Sequence, residues 1–337
     1  MSRKKIALIG AGQIGGTMAL LAAIKELGDV VLVDIVDGVP QGKALDIKET
    51  TPILGTDIEL SGTSDYKDIE GSDVVIITAG VPRKPGMSRE DLLEINTKII
   101  LDVSYNVKKY APNAFKIIIS NPVDAMVWLL WYMTESTPNM VVGQAGILDT
   151  ARFRAFVAME LGVSVNEVQA LVLGSHGDNM VSVLSTTTVG GVPIKELIPE
   201  ERLAEIVKRT QGGGGEIVKL LKTGSAFYAP AAAAIQMAES YLKDEKRILS
   251  SHAYLDGQYG YKGFFIGVPA LLGAGGAEKI LEADMTADEK AQFDSSAKHI
   301  ESVVADMKEL LKKLASADTL PEILKEEVWE SLKAKVL

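Results

Sequence analysis

No cysteine occurs among the 337 residues. That absence excludes disulfides, cysteine-ligated zinc, iron–sulfur clusters and thiol nucleophiles, and it fits the cytoplasm best. No metal is expected. Histidine is scarce too: the 3 present are His176, His252 and His299, so any histidine that chemistry requires is one of these. Positive charge is outnumbered, with 35 Lys+Arg against 45 Asp+Glu and a net charge of −10, which argues against a nucleic-acid surface. An anionic small molecule is still allowed, because a few arginines in a dry pocket escape screening. No G-x-S-x-G is present, which removes the usual serine-hydrolase elbow. The longest uncharged run, Ile6–Ile24, follows the basic SRKK and so copies a secretory signal. Gly10, Gly12, Gly15 and Gly16 would interrupt an apolar helix there, so strand, turn and helix are expected instead of export or membrane insertion.

What is present is ordinary for a globular protein: 47% hydrophobic and 24% charged residues, with a mean hydropathy of +0.16. The length suggests two lobes. In the first 146 residues, apolar strands at 4–9, 30–34, 73–78 and 115–120 alternate with helices at 13–27 and 88–110. Continuous apolar strands are buried on both faces, hence a doubly wound parallel α/β sheet of Rossmann type. Ser88 suits the N-cap of the second helix, with Asp91 in its first turn.

Residues 147–315 read as a mixed α+β substrate lobe. Helices are expected at 148–161, 200–221, 225–244 and 287–315, and strands at 168–174, 181–189, 247–254 and 263–270. Four consecutive glycines, Gly212–Gly215, would cost about 3–4 kcal/mol of helix propensity, so a kink or loop is expected there. The tail, 316–337, reads as an added helix with Pro321 in its first turn, packed on the body or on a neighbouring subunit.

GAGQIG, Gly10–Gly15, ends the first strand and opens the first helix, and Asp34 follows about 20 residues later at the end of the second strand. This is the dinucleotide pattern: Gly10 for the turn, Gly12 for backbone approach to the pyrophosphate, Gly15 for close helix–strand packing. Asp34 would accept the ribose hydroxyls and repel a 2′-phosphate, which favours NAD over NADP.

Two further stretches follow strands and face the same crevice, and a third opens a helix. VPRKPGMSRED, 81–91, carries Arg83, Lys84 and Arg89 on a loop suited to closing over a ligand. ISNPVD carries Asn121, and ILDTARFR carries Asp149 and Arg152 on one face of a helix start. LGSHGDNM places His176 at a strand end. Hydride transfer between an alcohol and a dinucleotide needs a base near neutrality, which suits His176. Asp149 would orient its ring, Arg152 would grip a substrate carboxylate, and an arginine of the loop would polarise the carbonyl oxygen.

GAGQIG with Asp34, AGVPRKPGMSRED, ISNPVD, GILDTARFR, LGSHGDNM and GSAFYAPAAA together resemble the lactate/malate dehydrogenase superfamily, in order along residues 4 to about 315. The nearest group is its bacterial malate dehydrogenases of lactate-dehydrogenase-like type. The resemblance implies His176 as proton carrier paired with Asp149, Arg152 on the C1 carboxylate and Arg89 on the carbonyl. It implies that Gly10, Gly12, Gln13, Ile14, Gly15, Asp34, Asn96 and Ile119 bind NAD, and that Asn121 touches both substrate and nicotinamide ribose. Arg83 stands where the lactate enzymes usually carry glutamine and the malate enzymes arginine, and Ala226 also follows the malate pattern. Malate/oxaloacetate is therefore the expected substrate pair. The alternatives are a lactate or broad 2-hydroxy-acid dehydrogenase and, from another class, a non-catalytic NAD-binding redox sensor. Relatives of this kind assemble, so a homo-oligomer is expected, a tetramer in preference to a dimer. Ser175, in GSHGD, departs from the GGHGD of the group and is expected only to adjust packing.

Overall fold

The computed structural model describes residues 3–82, 88–321 and 324–337, and of Arg89 the backbone alone. Arg83 and the centre of its loop lie outside the described residues.

The first half contains β1 (Lys5–Ile9), α1 (Gln13–Ile24), β2 (Asp29–Val33), α2 (Val39–Leu54), β3 (Leu60–Thr63), β4 (Val74–Ile77), α3 (Arg89–Tyr110), β5 (Phe115–Ile118), α4 (Val123–Thr134) and β6 (Val141–Gly143). These six strands pair in parallel in the order β3-β2-β1-β4-β5-β6. The order reverses at β1, and that switch point opens a crevice at the strands' carboxyl ends. Ile6, Ala7 and Leu8 on β1 and Val74–Ile77 on β4 are fully buried, as continuous apolar strands between helix layers must be.

The second half contains α5 (Gly146–Leu161), β7 (Val168–Gln169), β8 (Val172–Gly174), β9 (Met180–Ser182), β10 (Thr188–Val189), β11 (Val192–Pro193), α6 (Ile194–Leu197), α7 (Glu200–Leu221), α8 (Tyr228–Leu242), β12 (Arg247–Asp256), β13 (Lys262–Gly273), β14 (Gly276–Ile280), α9 (Ala287–Ala315) and α10 (Glu326–Val336). The sheet continues through β6-β12-β13-β8-β9, now antiparallel. His252 of β12 opposite Gly143 of β6 forms the seam.

Local chemistry explains most boundaries. Ser88 accepts from the Asp91 amide while Asp91 accepts from the Ser88 amide, both at 3.0 Å, so the expected cap of α3 is a full capping box. The segment Ile6–Ile24 is strand, turn and helix, as its glycines require. Among the described residues no helix is long and apolar enough to cross a membrane.

Four expectations fail. The strand expected over 168–174 breaks into β7 and β8, which pair in different sheets, the Val172 amide donating to Thr150 Oγ1 at 3.1 Å. The strand expected over 181–189 is split, because Ser185 turns away to the Glu289 carboxylate and the Thr187 hydroxyl donates back to the Val183 carbonyl. The tail helix starts at Glu326, not at Pro321; its buried Val328 and Leu332 lie against the body, on α9 and α3. The kink at Gly212–Gly215 is absent, since α7 runs unbroken through it. Two contacts offset the glycines. Leu203, Ile206, Thr210 and Gly213 form one buried stripe, and Arg209 clamps Glu216 with two hydrogen bonds (2.8 and 2.9 Å) across the run.

Candidate active site

The turn after β1 is built by steric exclusion. Gly10 has φ +106°, and a Cβ there would lie 2.4 Å from Thr78 Oγ1. A Cβ on Gly15 would lie 1.9 Å from the Gly10 carbonyl oxygen. Both glycines therefore serve the fold as well as any ligand. Gly12 differs, since its Cβ would meet nothing within 4 Å. It begins α1 with no side-chain cap and no acid in the first turn, so the positive helix end faces open space. Gln13 is exposed and Ile14 half-buried beside it. Asp34 takes the Ala11 amide at 2.7 Å on one oxygen and the Val36 amide at 3.1 Å on the other. The carboxylate is thereby fixed beside the turn with lone pairs to spare. An uncapped helix start, space at Gly12 and an anchored acid fit the pyrophosphate and ribose of a dinucleotide.

At the crevice, Asn121 is exposed after β5, and Ile119 is buried beside it. Asn96 behaves otherwise than expected for a ligand contact. It is buried, its Oδ1 accepts the Val81 amide (2.8 Å), and its Nδ2 donates to the carbonyls of Val81 (3.2 Å) and Asn121 (2.6 Å). The side chain joins the root of the arginine loop to the Asn121 turn.

The second half supplies the polar centre. Asp149, in the first turn of α5, is 1% exposed, and its Oδ2 lies 2.9 Å from His176 Nδ1. Arg152, three residues on, donates to the other oxygen at 3.3 Å. With Nδ1 engaged by a carboxylate, Nε2 is the ring atom left for a reacting proton. The His176 side chain is 24% exposed, which leaves it reachable. Burial would lower its pKa, but the charge and hydrogen bond of Asp149 and the charge of Asp124 outweigh burial and hold it above the usual histidine value. Arg152 lies along α7, where a Cβ on Gly213 would stand 3.1 Å from its Cδ. Ala226 stands half-buried in the α7–α8 connection; no polar contact among the described residues joins it to this group.

Sequence reasoning missed one group here. Asp124, in the first turn of α4, accepts from Ser175 Oγ (2.6 Å), from His252 Nε2 (2.6 Å) and from the His176 amide (3.4 Å). The only signal was the serine of GSHGD, and Ser175 does more than adjust packing.

Comparison with known proteins follows the same division of the chain. The family model described as lactate/malate dehydrogenase, NAD binding domain, matches residues 4–143. The model of the lactate/malate dehydrogenase alpha/beta C-terminal domain matches residues 147–311. Malate dehydrogenase 2 of Anaeromyxobacter dehalogenans is 57% identical over 316 residues, covering 91% of this chain and all of that one. Among solved structures, Cryptosporidium parvum malate dehydrogenase superposes with a TM-score of 0.89 at 49% identity, over 91% of this chain and 99% of that one. The lactate dehydrogenase of the same organism, complexed with lactic acid and nicotinamide adenine dinucleotide, gives 0.88 at 45%, over 91% and 98%.

Proposed function

The chain belongs to the lactate/malate dehydrogenase family, and from that membership we infer that it interconverts malate and oxaloacetate with NAD as hydride carrier. The observation that carries the reading is the His176–Asp149–Arg152 group, with His176 Nε2 unbonded among the described residues and a guanidinium on the same carboxylate.

The glycine turn, Gln13, Ile14 and Asp34 would hold NAD, with Ile119 and Asn121 toward the nicotinamide end; when bound, NAD supplies or accepts the hydride. In oxaloacetate reduction His176 Nε2 gives its proton to the carbonyl oxygen as hydride reaches the carbon, and malate oxidation reverses both transfers. Asp149 holds the ring by Nδ1 and stabilises the imidazolium. Arg152 receives the C1 carboxylate with the N–H groups that Asp149 does not use. Arg89 polarises the carbonyl, and Arg83 pairs with the second carboxylate, which pyruvate lacks. Ala226 leaves room for the larger substrate. Asn96 serves this site through Val81 and Asn121, whose backbone it ties together.

The lobe division at 146/147 is supported by the change from parallel to antiparallel pairing between β6 and β12. A homo-oligomer, a tetramer in preference to a dimer, is proposed from the family membership alone. Sedimentation showing only monomer would remove that part. The cytoplasm is the proposed location, on the absence of cysteine.

The test is the protein with NADH and oxaloacetate, beside His176→Asn. NADH consumption by the wild type, lost in the variant while NADH still binds, supports the reading. NADH bound without turnover of any 2-oxo acid by the wild type would favour a redox sensor.

A further inference from the structure

The seam of the sheet holds a buried polar cluster that the reaction as described does not use. His252 faces Gly143 across it, and a Cβ on Gly143 would lie 2.9 Å from the His252 Cβ, so the glycine makes room for the ring. The His252 side chain is 1% exposed. Its Nε2 meets Asp124 Oδ1, and its Nδ1 is buried with no hydrogen-bond partner among the described residues. The proton therefore sits on Nε2 and points at the carboxylate. Ser175 Oγ donates to Oδ2, and the Ser175 amide donates to Ser296 Oγ (2.7 Å) of α9. Two elements, α4 through Asp124 and α9 through Ser296, thus hold the residue before His176, and β12 reaches it by way of Asp124.

We propose that Asp124, aimed by His252 and Ser175, is a positioning residue for proton transfer: it holds the His176 backbone by its amide and places a second carboxylate behind the proton carrier. The inference rests on His176 being the proton carrier.

Three observations carry it. The carboxylate lies in the first turn of α4, where the helix end favours negative charge. It accepts three donors, so it remains ionised although buried: burial alone would raise its pKa, and the His252 and Ser175 contacts and the His176 charge bring it below the usual aspartate value. The link to His176 is direct, through its own amide. The charged and titratable groups around His176 are Asp149 and Arg152 on α5 and Asp124 on α4, with His252 of β12 behind Asp124. Asp178 follows on the same loop, Arg83 belongs to the loop before α3, and Arg89 is the first residue of that helix. Asp149 alone orients the ring; Asp124 adds charge and backbone restraint without touching substrate.

The test reads His176 in two ways on the full-length protein. One is NMR titration of ring-labelled histidine without substrate; the other is kcat/KM against pH in both directions. Asp124→Asn should lower the His176 midpoint by about half a pH unit or more. His252→Leu should give a smaller shift of the same sign, and so should Ser175→Gly. His252→Gln, which keeps an N–H donor, should restore the wild-type value. Reduction of oxaloacetate uses protonated His176, so its alkaline limb moves to lower pH. Oxidation of malate uses the neutral ring, so its acid limb moves the same way and malate oxidation gains at low pH. A general structural defect would depress both directions instead. An unmoved His176 midpoint in Asp124→Asn and His252→Leu, with both directions equally slowed, overturns the proposal. Should Asp124→Asn not fold, the His252 and Ser175 variants carry the same comparison. The titration needs no turnover, so it stands apart from the activity assay; a wild type that fails to consume NADH would sink the reaction assignment, not the cluster.

Discussion

Replacing the glycines of α7 one face at a time separates helix stability from substrate grip. Gly212 and Gly215 are exposed, lie within an unbroken helix, and a Cβ on either would meet nothing within 4 Å. Alanine at each should recover nearly the full difference in helix propensity, about 0.8–1.0 kcal/mol per site, or about 2 kcal/mol for the double variant. Gly213 faces the other way. Its Cβ would sit 3.1 Å from Arg152 Cδ and 3.5 Å from Nε, so the arginine must yield by a few tenths of an ångström. A 1 Å misplacement in an active site costs about 10²-fold, so this smaller one should raise the KM for oxaloacetate by about 3–10-fold. Urea unfolding followed by steady-state kinetics measures both effects. Gly212→Ala/Gly215→Ala should be more stable at unchanged turnover, and Gly213→Ala should show the raised KM. A destabilised double variant would mean that the run breaks the helix after all. An unchanged KM in Gly213→Ala would mean that Arg152 does not bind substrate from its place along α7.

The glycine turn admits a similar division. Gly12→Ala should fold normally yet weaken NADH binding about tenfold or more, whereas Gly15→Ala should lose several kcal/mol of stability against the Gly10 carbonyl; fluorescence titration and unfolding read the two. The linkage of stability to pH has opposite signs at half-buried His176 and buried Asp124. The folded-state pKa of His176 is raised, so its contribution is full below the usual histidine value of 6.5 and is lost as pH rises through the folded pKa. Asp124 has a lowered pKa, so its contribution is full above 3.8 and is lost as pH falls through the folded pKa. The stability margin of wild type over His176→Gln should therefore shrink as pH rises above the usual histidine value, by unfolding at fixed temperature. In the tail, Leu332 is fully buried, and Leu332→Ala should cost about 2–4 kcal/mol in the same assay without altering KM.

Local patterns carried much of this protein, and long-range ones did not. GAGQIG and Asp34 are legible because the turn, the helix start and the acid lie close in sequence and each has a steric or electrostatic reason. His176 and Asp149 are legible because both residue types are rare in such settings and both follow strands. The kink misread at Gly212–Gly215 came from counting propensity without the Arg209–Glu216 clamp and the packing of α7 on α5, which only the folded chain supplies. Helix α2 went unforeseen because Pro40 and Pro52 punctuate it and its exposed Leu45 and Ile53 blur the apolar face. The Asp124 cluster was hidden for a different reason. Its members stand at positions 124, 175 and 252, and nothing local announces that one turn of α4, the loop after β8 and a sheet seam will meet.

The measurement that bears most directly on the central claim is a comparison of kcat/KM for oxaloacetate and pyruvate at saturating NADH, with Arg83→Gln in parallel. The account predicts a preference for oxaloacetate of about 10⁴-fold, because pyruvate would leave the Arg83 guanidinium desolvated and unpaired, and it predicts that Arg83→Gln erodes that preference. Equal or faster turnover of pyruvate by the wild type, or an Arg83→Gln variant that keeps its full activity on oxaloacetate, would contradict it.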